Sequence, residues 1–176
     1  MNTPGAARVA RGMLRSMPSP YDPAAWQNFY VMMGGANAAL TGLVFVAISI
    51  HLREVLDHPL LKPRAVLALV VLTTQIAISA IVLAPQSREL MGLEILVLNA
   101  IFLALNVRQQ GFATTLNRAA LTSLAIRLAY TYAAISLILG VGGGFYVLAL
   151  VIVVTLGRTM VSAWTLLTAL EAAPAQ

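Results

Sequence analysis

Residues 34–52 read GGANAALTGLVFVAISIHL and contain no Asp, Glu, Lys or Arg. An apolar run of roughly 20 residues is long enough to cross the hydrocarbon core of a bilayer as an α-helix. The helix is expected to begin before this run, because Asp22 and Pro23 form a good start signal, with aspartate as N-cap and proline at the first helical position. Aromatic side chains suited to a membrane interface follow, namely Trp26, Phe29 and Tyr30. The segment therefore predicts a transmembrane span over about residues 31–52.

The composition of the whole chain is typical of a membrane protein. Of its 176 residues, 60% are hydrophobic and only 10% are charged, whereas a soluble domain carries about a quarter charged residues. Further apolar blocks predict four more spans, at about residues 65–83, 90–107, 120–139 and 145–167. The fold class is therefore expected to be all-α, a polytopic bundle of about five transmembrane helices.

Glycines separate the last two predicted spans, at Gly140, Gly142, Gly143 and Gly144. A reversal of the chain there is the favoured interpretation, and one long helix kinked at the glycines is the alternative. The expected domain organisation is a mobile N-terminal tail over residues 1–22, a transmembrane domain over 23–170 and a C-terminal tail over 171–176.

Basic residues in the connections predict the orientation of the bundle, because the side richer in Lys and Arg near the span ends faces the cytoplasm. One side holds the C-terminus and five basic residues, Arg53, Lys62, Arg64, Arg108 and Arg118. The other side holds Arg88 and the N-terminal tail, whose arginines weaken the contrast. We therefore expect a multi-pass protein of the bacterial inner membrane with a cytoplasmic C-terminus. The net charge of +5 is interpreted as this topology signal and not as nucleic-acid binding.

Small residues recur every four positions in the first span, at Gly34, Ala38 and Gly42. This spacing stacks them on one helix face, where two helix backbones can approach closely in lipid. Packing inside one subunit is one interpretation of this face. A contact between subunits is the other, and it favours a homo-oligomer.

Four uncharged polar side chains are candidates for lining a pore: Asn37, Thr41, Gln75 and Asn99. In hydrocarbon each needs a hydrogen-bond partner, so these groups are expected to point into the bundle. Hydrogen bonding between helices is one use of such groups, and lining a wet pathway is the other.

Three ionisable residues lie within predicted spans, namely Glu94, Arg127 and Arg158. Charges are expensive at this depth and usually face protein or water. The arginines either border an ion path or reach toward the interface and pair structurally, and we favour the second interpretation. Glu94 is predicted to lie too far along the bundle to pair simply with either arginine.

The sequence offers little for catalysis or metal binding. The absence of cysteine excludes disulfides and thiolate chemistry, and no nucleophile–base set or phosphate-binding motif occurs, so an enzyme is not expected. His51, Glu54 and His58 share one face of a helix and carry groups that suit zinc. They would spread over about 10 Å along that helix, so one chain could not bring all three to one ion. We expect neither a metal site nor a cofactor.

The run DPAAWQNFYVMMGGANAALTGLVFVAISIHL, residues 22–52, resembles the opening of an uncharacterised group of small bacterial multi-pass membrane proteins. The segment PQSRELMGLE, residues 85–94, is similar to that group as well. Some of its members are loosely labelled modulators of a membrane protease, which implies binding to another membrane protein. The shorter run AALTGLVFVAISIHL also resembles the pore-lining first helix of Orai calcium channels. It departs from that family near Ile50, where the selectivity glutamate would fall.

Two functional hypotheses follow. The first is a small channel or permeation protein in the bilayer, lined by the polar candidates named above. The alternative is an accessory protein that binds and modulates another membrane protein through its small-residue faces.

Overall fold

The computed structural model describes residues 21–57, 61–110 and 118–171, and every regular element in these ranges is an α-helix. The predicted all-α fold class is confirmed for this part of the chain. In chain order the helices are α1 Pro23–Ile50, α2 Leu52–Asp57, α3 Leu61–Leu83, α4 Arg88–Gln110, α5 Arg118–Leu139 and α6 Gly144–Glu171. The predicted tails lie mostly outside the described residues, over 1–20 and 172–176.

Helix α1 begins where the start signal predicts. The carboxylate of Asp22 accepts a hydrogen bond from the backbone N–H of Ala24 at 3.0 Å, and Pro23 occupies the first helical position. This cap satisfies one of the N–H groups that a first turn leaves without an acceptor. The helix ends at Ile50, and His51 separates it from the short helix α2.

Helix α3 starts earlier than the predicted span. Helix α3 begins at Leu61, so Pro63 lies in its first turn. Proline is tolerated there because the first-turn N–H groups have no acceptor within the helix, and its fixed φ is already helical.

Within the described residues, four helices are long and apolar enough to cross a membrane: α1, α3, Leu121–Leu139 of α5 and Gly144–Thr165 of α6. The protein is therefore an integral, multi-pass membrane protein. Its outward faces are apolar, since Leu43, Leu150 and Val161 are 69%, 64% and 65% exposed. Lipid tails solvate such faces well, whereas water would not.

Helix α4 coincides with the predicted third span and connects opposite ends of the bundle. Its 23 residues correspond to about 34 Å at 1.5 Å per residue. It starts beside the glycine turn, where the Arg88 guanidinium lies against Gly140, and it leads to α5, which starts at the other end. The side chains of residues 105–110 lie outside the description. That α4 is a fifth membrane-crossing helix therefore stays a prediction. The path of the chain along α4, from one end of the bundle to the other, favours it.

The chain reverses between α5 and α6 at the predicted glycines. Gly140, Gly142 and Gly143 have φ angles of +68°, +87° and +72°, in a region that other residues rarely adopt. The hydroxyl of Tyr132 donates to the carbonyl of Gly142 at 3.0 Å. Helices α5 and α6 pack along each other, so they do not form one kinked helix.

The largest buried core lies near this glycine turn. Trp26 stacks on Phe145 with ring centroids 5.8 Å apart, and Tyr30 is fully buried beside them. The hydroxyl of Tyr21, just before α1, accepts a hydrogen bond from the backbone N–H of Gly143. The start of α1 is therefore held at the same end of the bundle as the turn.

Candidate functional site

The membrane-spanning region contains two almost fully buried carboxamides, Asn37 on α1 and Gln75 on α3, which are 0% and 1% exposed. We call them the buried amide pair. Asn37 Nδ2 donates to the carbonyl of Met33 at 2.7 Å, and Gln75 Nε2 lies 3.5 Å from the carbonyl of Ile152 on α6. The side-chain oxygens of both amides have no hydrogen-bond partner among the described residues.

The two amides lie at about the same depth on neighbouring helices. Helices α1 and α3 run antiparallel and approach closely at Gly34, where an added Cβ would lie 3.2 Å from the Cβ of Ser79. Asn37 is three residues beyond Gly34, and Gln75 is four residues before Ser79. Because the helices are antiparallel, going forward from Gly34 to Asn37 and backward from Ser79 to Gln75 leads in the same direction, away from the glycine turn. Each distance is about 5 Å along the helix, so the two amides lie at about the same depth.

A third buried oxygen lies on the same face of α1. Tyr30 precedes Asn37 by two helical turns, or about 10 Å, and is 0% exposed. Its hydroxyl oxygen has no hydrogen-bond partner within the described ranges. The side-chain oxygens of Tyr30, Asn37 and Gln75 are therefore all buried without a hydrogen-bond partner among the described residues.

Hydroxyl groups extend this polar interior. Thr41 donates to the carbonyl of Asn37 at 2.7 Å, and Ser79 donates to the carbonyl of Gln75 at 3.0 Å. On α6, Thr155 likewise donates to a carbonyl one turn earlier. The hydroxyl protons of Thr41 and Ser79 are used within their own helices, so the lone pairs of these oxygens can accept a hydrogen bond from another donor.

The chemistry of this interior is that of neutral oxygen acceptors. A buried polar atom without a partner is destabilising by about 1–3 kcal/mol, and hydrocarbon offers no water to relieve it. Carbonyl-type and hydroxyl oxygens accept hydrogen bonds from water, and they are the ligands that hard cations prefer. The side-chain oxygens of the buried amide pair therefore have the chemistry to accept a hydrogen bond from a further donor.

Asn99, the fourth predicted lining residue, belongs to a different contact. Its Nδ2 donates to the carbonyl of Arg127 at 3.3 Å and to the hydroxyl of Thr131 at 3.1 Å. Its Oδ1 accepts a hydrogen bond from Nη1 of Arg127 at 3.1 Å. Asn99 thus joins α4 to α5, whereas the buried amide pair lies between α1, α3 and α6.

The two intramembrane arginines occupy different environments. The guanidinium of Arg127 lies over the ring of Phe102, 3.7 Å from its centroid, and is half-buried. Arg158 is exposed, lies fourteen residues beyond Gly144 on α6, and donates to the hydroxyl of Thr122 at 2.8 Å. The contacts of Arg127 with Asn99 and Phe102 hold its guanidinium inside the bundle.

The acidic groups of α4 lie near the glycine turn. Glu94 accepts a hydrogen bond from Gln86 at 2.9 Å. Glu89 forms an ion pair with Arg88 at 2.8 Å, and this hydrogen bond lowers the pKa of Glu89. Neither carboxylate contacts Arg127 or Arg158 in the described part of the chain.

The small-residue face of α1 divides into two parts. Gly34 packs against α3, but Ala38 and Gly42 are exposed, and an added Cβ on Gly42 would meet no atom within 4 Å. Among the described glycines inside helices, Gly92 on α4 makes the closest approach to a neighbouring helix, since an added Cβ would lie 2.7 Å from the carbonyl oxygen of Ala134. Sequence reasoning missed Gly92, although an isolated glycine inside an apolar helix usually has a packing reason.

The weak metal candidates do not lie on one continuous helix. His51 separates α1 from α2, and Glu54 is on α2. His58 and the side chain of Glu54 lie outside the described residues. Among the side chains that the structure describes, no group of three metal-binding residues occurs.

Comparisons of this chain with known protein families, with curated proteins and with solved structures find no match.

Proposed function

We propose that the protein is a small permeation protein, a channel or related carrier of small cations, whose path passes the buried amide pair. The observation that carries the proposal is the set of unsatisfied oxygens on Tyr30, Asn37 and Gln75. Leucine at Asn37 or Gln75 would pack without a desolvation penalty, so stability alone does not explain the amides.

The geometry of the amides favours a path within one chain. Both side chains face the interior between α1, α3 and α6 and not the lipid-exposed surface. A pore on the axis of an oligomer would instead be lined by exposed residues. Asn37 and Gln75 therefore stay as the lining candidates, with Thr41 one turn further along α1, and Asn99 is left out of the path.

The proposed orientation follows the distribution of basic residues. Arg53, Lys62 and Arg64 lie at the end of the bundle opposite the glycine turn, together with the end of α6. We propose that this end faces the cytoplasm of a bacterial cell, as the rule for basic connections implies. Cations leaving the path there would be repelled by these residues, so we expect inward-directed flux to depend on ionic strength.

The test is flux through liposomes that contain the purified protein. Asn37→Leu should lower potassium or sodium flux about tenfold, which corresponds to about 1.4 kcal/mol in the barrier. Gln75→Leu should act in the same direction, because both replacements remove an acceptor oxygen. The measurement is the rate of dye-reported cation entry at equal amounts of reconstituted protein.

A matched control uses Thr73 on α3, which is exposed and donates to the carbonyl of Leu69 on its own helix at 2.8 Å. Thr73→Val should leave flux unchanged. Flux that is absent from liposomes holding correctly folded unaltered protein would overturn the proposal. Equal flux from the unaltered protein and both leucine variants would exclude this path.

The second candidate is an accessory protein that associates with another membrane protein or with copies of itself. The observation in its favour is the exposed part of the α1 face, since an added Cβ at Gly35 or Gly42 would meet no atom within 4 Å. Gly42→Leu should dissociate such a complex in mild detergent. Gly157→Leu on α6 is the control, because Gly157 is equally open. A mass unchanged by Gly42→Leu would count against this candidate.

A further inference from the structure

Arg127 carries its charge into the interior of the bundle, well inside the apolar part of α5. It lies six residues from Leu121 and twelve from Leu139, the limits of the apolar part of α5, or about 9 Å and 18 Å along the helix. Its partner Asn99 is at the centre of α4, eleven residues from either end. The guanidinium therefore lies level with the centre of α4 and about 9 Å inside the nearer end of the apolar part of α5.

The contacts of Arg127 prevent its guanidinium from reaching the membrane surface. Nη1 donates to Oδ1 of Asn99 at 3.1 Å, and Cζ lies over the ring of Phe102, 3.7 Å from its centroid. Asn99 is itself held by the backbone of Arg127 and by Thr131. An arginine with free rotamers would extend along the helix toward the headgroups, but this one is fixed across the groove between α4 and α5.

The guanidinium keeps donors available at the surface of this groove. A guanidinium has five N–H groups, and among the described residues Arg127 hydrogen-bonds only Asn99. None of its nitrogens is among the fully buried atoms without a partner, so its remaining N–H groups open outward. Leu124 and Leu128, its neighbours on α5, are 55% and 60% exposed. The charged guanidinium of Arg127 is thus accessible at an apolar surface that includes Leu124 and Leu128.

The chain itself does not supply a counter-charge at this depth. Its six acidic residues are Asp22, Glu54, Asp57, Glu89, Glu94 and Glu171. Of these only Glu94 lies clearly inside a helix of the membrane region, five residues from Asn99 and thus about 7 Å nearer the glycine turn. Glu94 is already bonded to Gln86. A second copy in the same orientation would therefore present no carboxylate level with Arg127.

We propose that the α4–α5 groove at Arg127 docks a transmembrane helix of a different protein that carries one carboxylate near the middle of its span. Arginine and carboxylate form charge-assisted, often bidentate hydrogen bonds. An isolated charge in the bilayer is unfavourable for each protein alone, so pairing relieves both. The exposed leucines beside Arg127 provide the apolar contact that a helix needs. This inference does not depend on the permeation proposal.

The probe is a designed Leu/Ala transmembrane helix with a single glutamate at its centre, labelled for energy transfer and reconstituted with the labelled protein. Matched helices carry glutamine at the same place, or glutamate in the second turn. The measurement is made at mildly alkaline pH, because a carboxyl group in hydrocarbon has a raised pKa. We expect the central-glutamate helix to associate about tenfold more tightly than either matched helix, which is a difference of about 1.4 kcal/mol.

Variants of the protein locate the contact. Arg127→Met keeps an apolar chain over Phe102 and should abolish the preference for glutamate, whereas Arg127→Lys should retain part of it. Arg158→Met is the control, because Arg158 lies on α6 at a similar depth but contacts Thr122 and not Asn99. The Arg158→Met protein should prefer the central-glutamate helix as strongly as the unaltered protein does.

Two results would overturn the inference. The first is equal association of the glutamate and glutamine helices with the unaltered protein, a comparison that needs no variant to fold. The second is an undiminished glutamate preference in Arg127→Met, or a loss of that preference in Arg158→Met but not in Arg127→Met.

Discussion

Gly92→Ala is expected to destabilise the protein strongly by forcing α4 away from α5. A Cβ at Gly92 would lie 2.7 Å from the carbonyl oxygen of Ala134 and 2.7 Å from Cγ1 of Ile138. The first of these atoms belongs to the backbone, so a side-chain rotation cannot relieve the contact. Overpacking of this kind is destabilising by about 1–3 kcal/mol. The measurement is the temperature at which the detergent-solubilised protein loses helical circular dichroism.

The same replacement at Gly157 on α6 provides the control. An added Cβ there would meet no atom within 4 Å, and alanine favours a helix over glycine by about 1 kcal/mol. Gly157→Ala should therefore be neutral or slightly stabilising. If Gly92→Ala melted at or above the temperature of Gly157→Ala, the close approach of α4 and α5 at this position would be wrong.

Gly142→Ala should disrupt the reversal between α5 and α6. We expect the loss of stability to be one of the two largest, together with that of Gly92→Ala. Its φ of +87° is rarely adopted by residues with a side chain. A Cβ would also lie 2.7 Å from the hydroxyl of Tyr132, which donates to the carbonyl of Gly142. Backbone strain of this kind is destabilising by about 1–3 kcal/mol, and loss of the hydrogen bond adds to it. Thermal unfolding in detergent again measures the effect.

Gly143→Ala separates the two causes. Gly143 has a similar φ of +72°, but its nearest neighbour to an added Cβ is Cδ2 of Tyr146 at 3.7 Å, an ordinary contact. It should therefore show backbone strain without the clash and unfold at a temperature between those of Gly142→Ala and the unaltered protein. A Gly142→Ala protein as stable as Gly143→Ala would show that Tyr132 does not constrain the turn.

The buried amide pair illustrates how far sequence reasoning reached. Asn37 and Gln75 were predicted to point inward, because a polar group in hydrocarbon needs a partner, and both are buried. Asn99 satisfied the same rule in a separate contact with Arg127. Polarity and depth alone do not distinguish these two cases, since the difference depends on which neighbouring helix presents an acceptor.

Local chemistry was sufficient to infer that the chain crosses a bilayer several times, that α1 starts at Asp22 and that the chain turns at Gly140 and Gly142. Hydropathy, capping and a positive φ each depend on residues close together in the chain, so the sequence displays them directly. The packed helices alone revealed that Gly92 and not Gly42 lies against a neighbouring helix, and that Arg127 is held inside the bundle by Asn99 and Phe102. Those outcomes depend on the rotation of each helix about its axis. Residues far apart in the chain set that rotation jointly, and no local pattern records it.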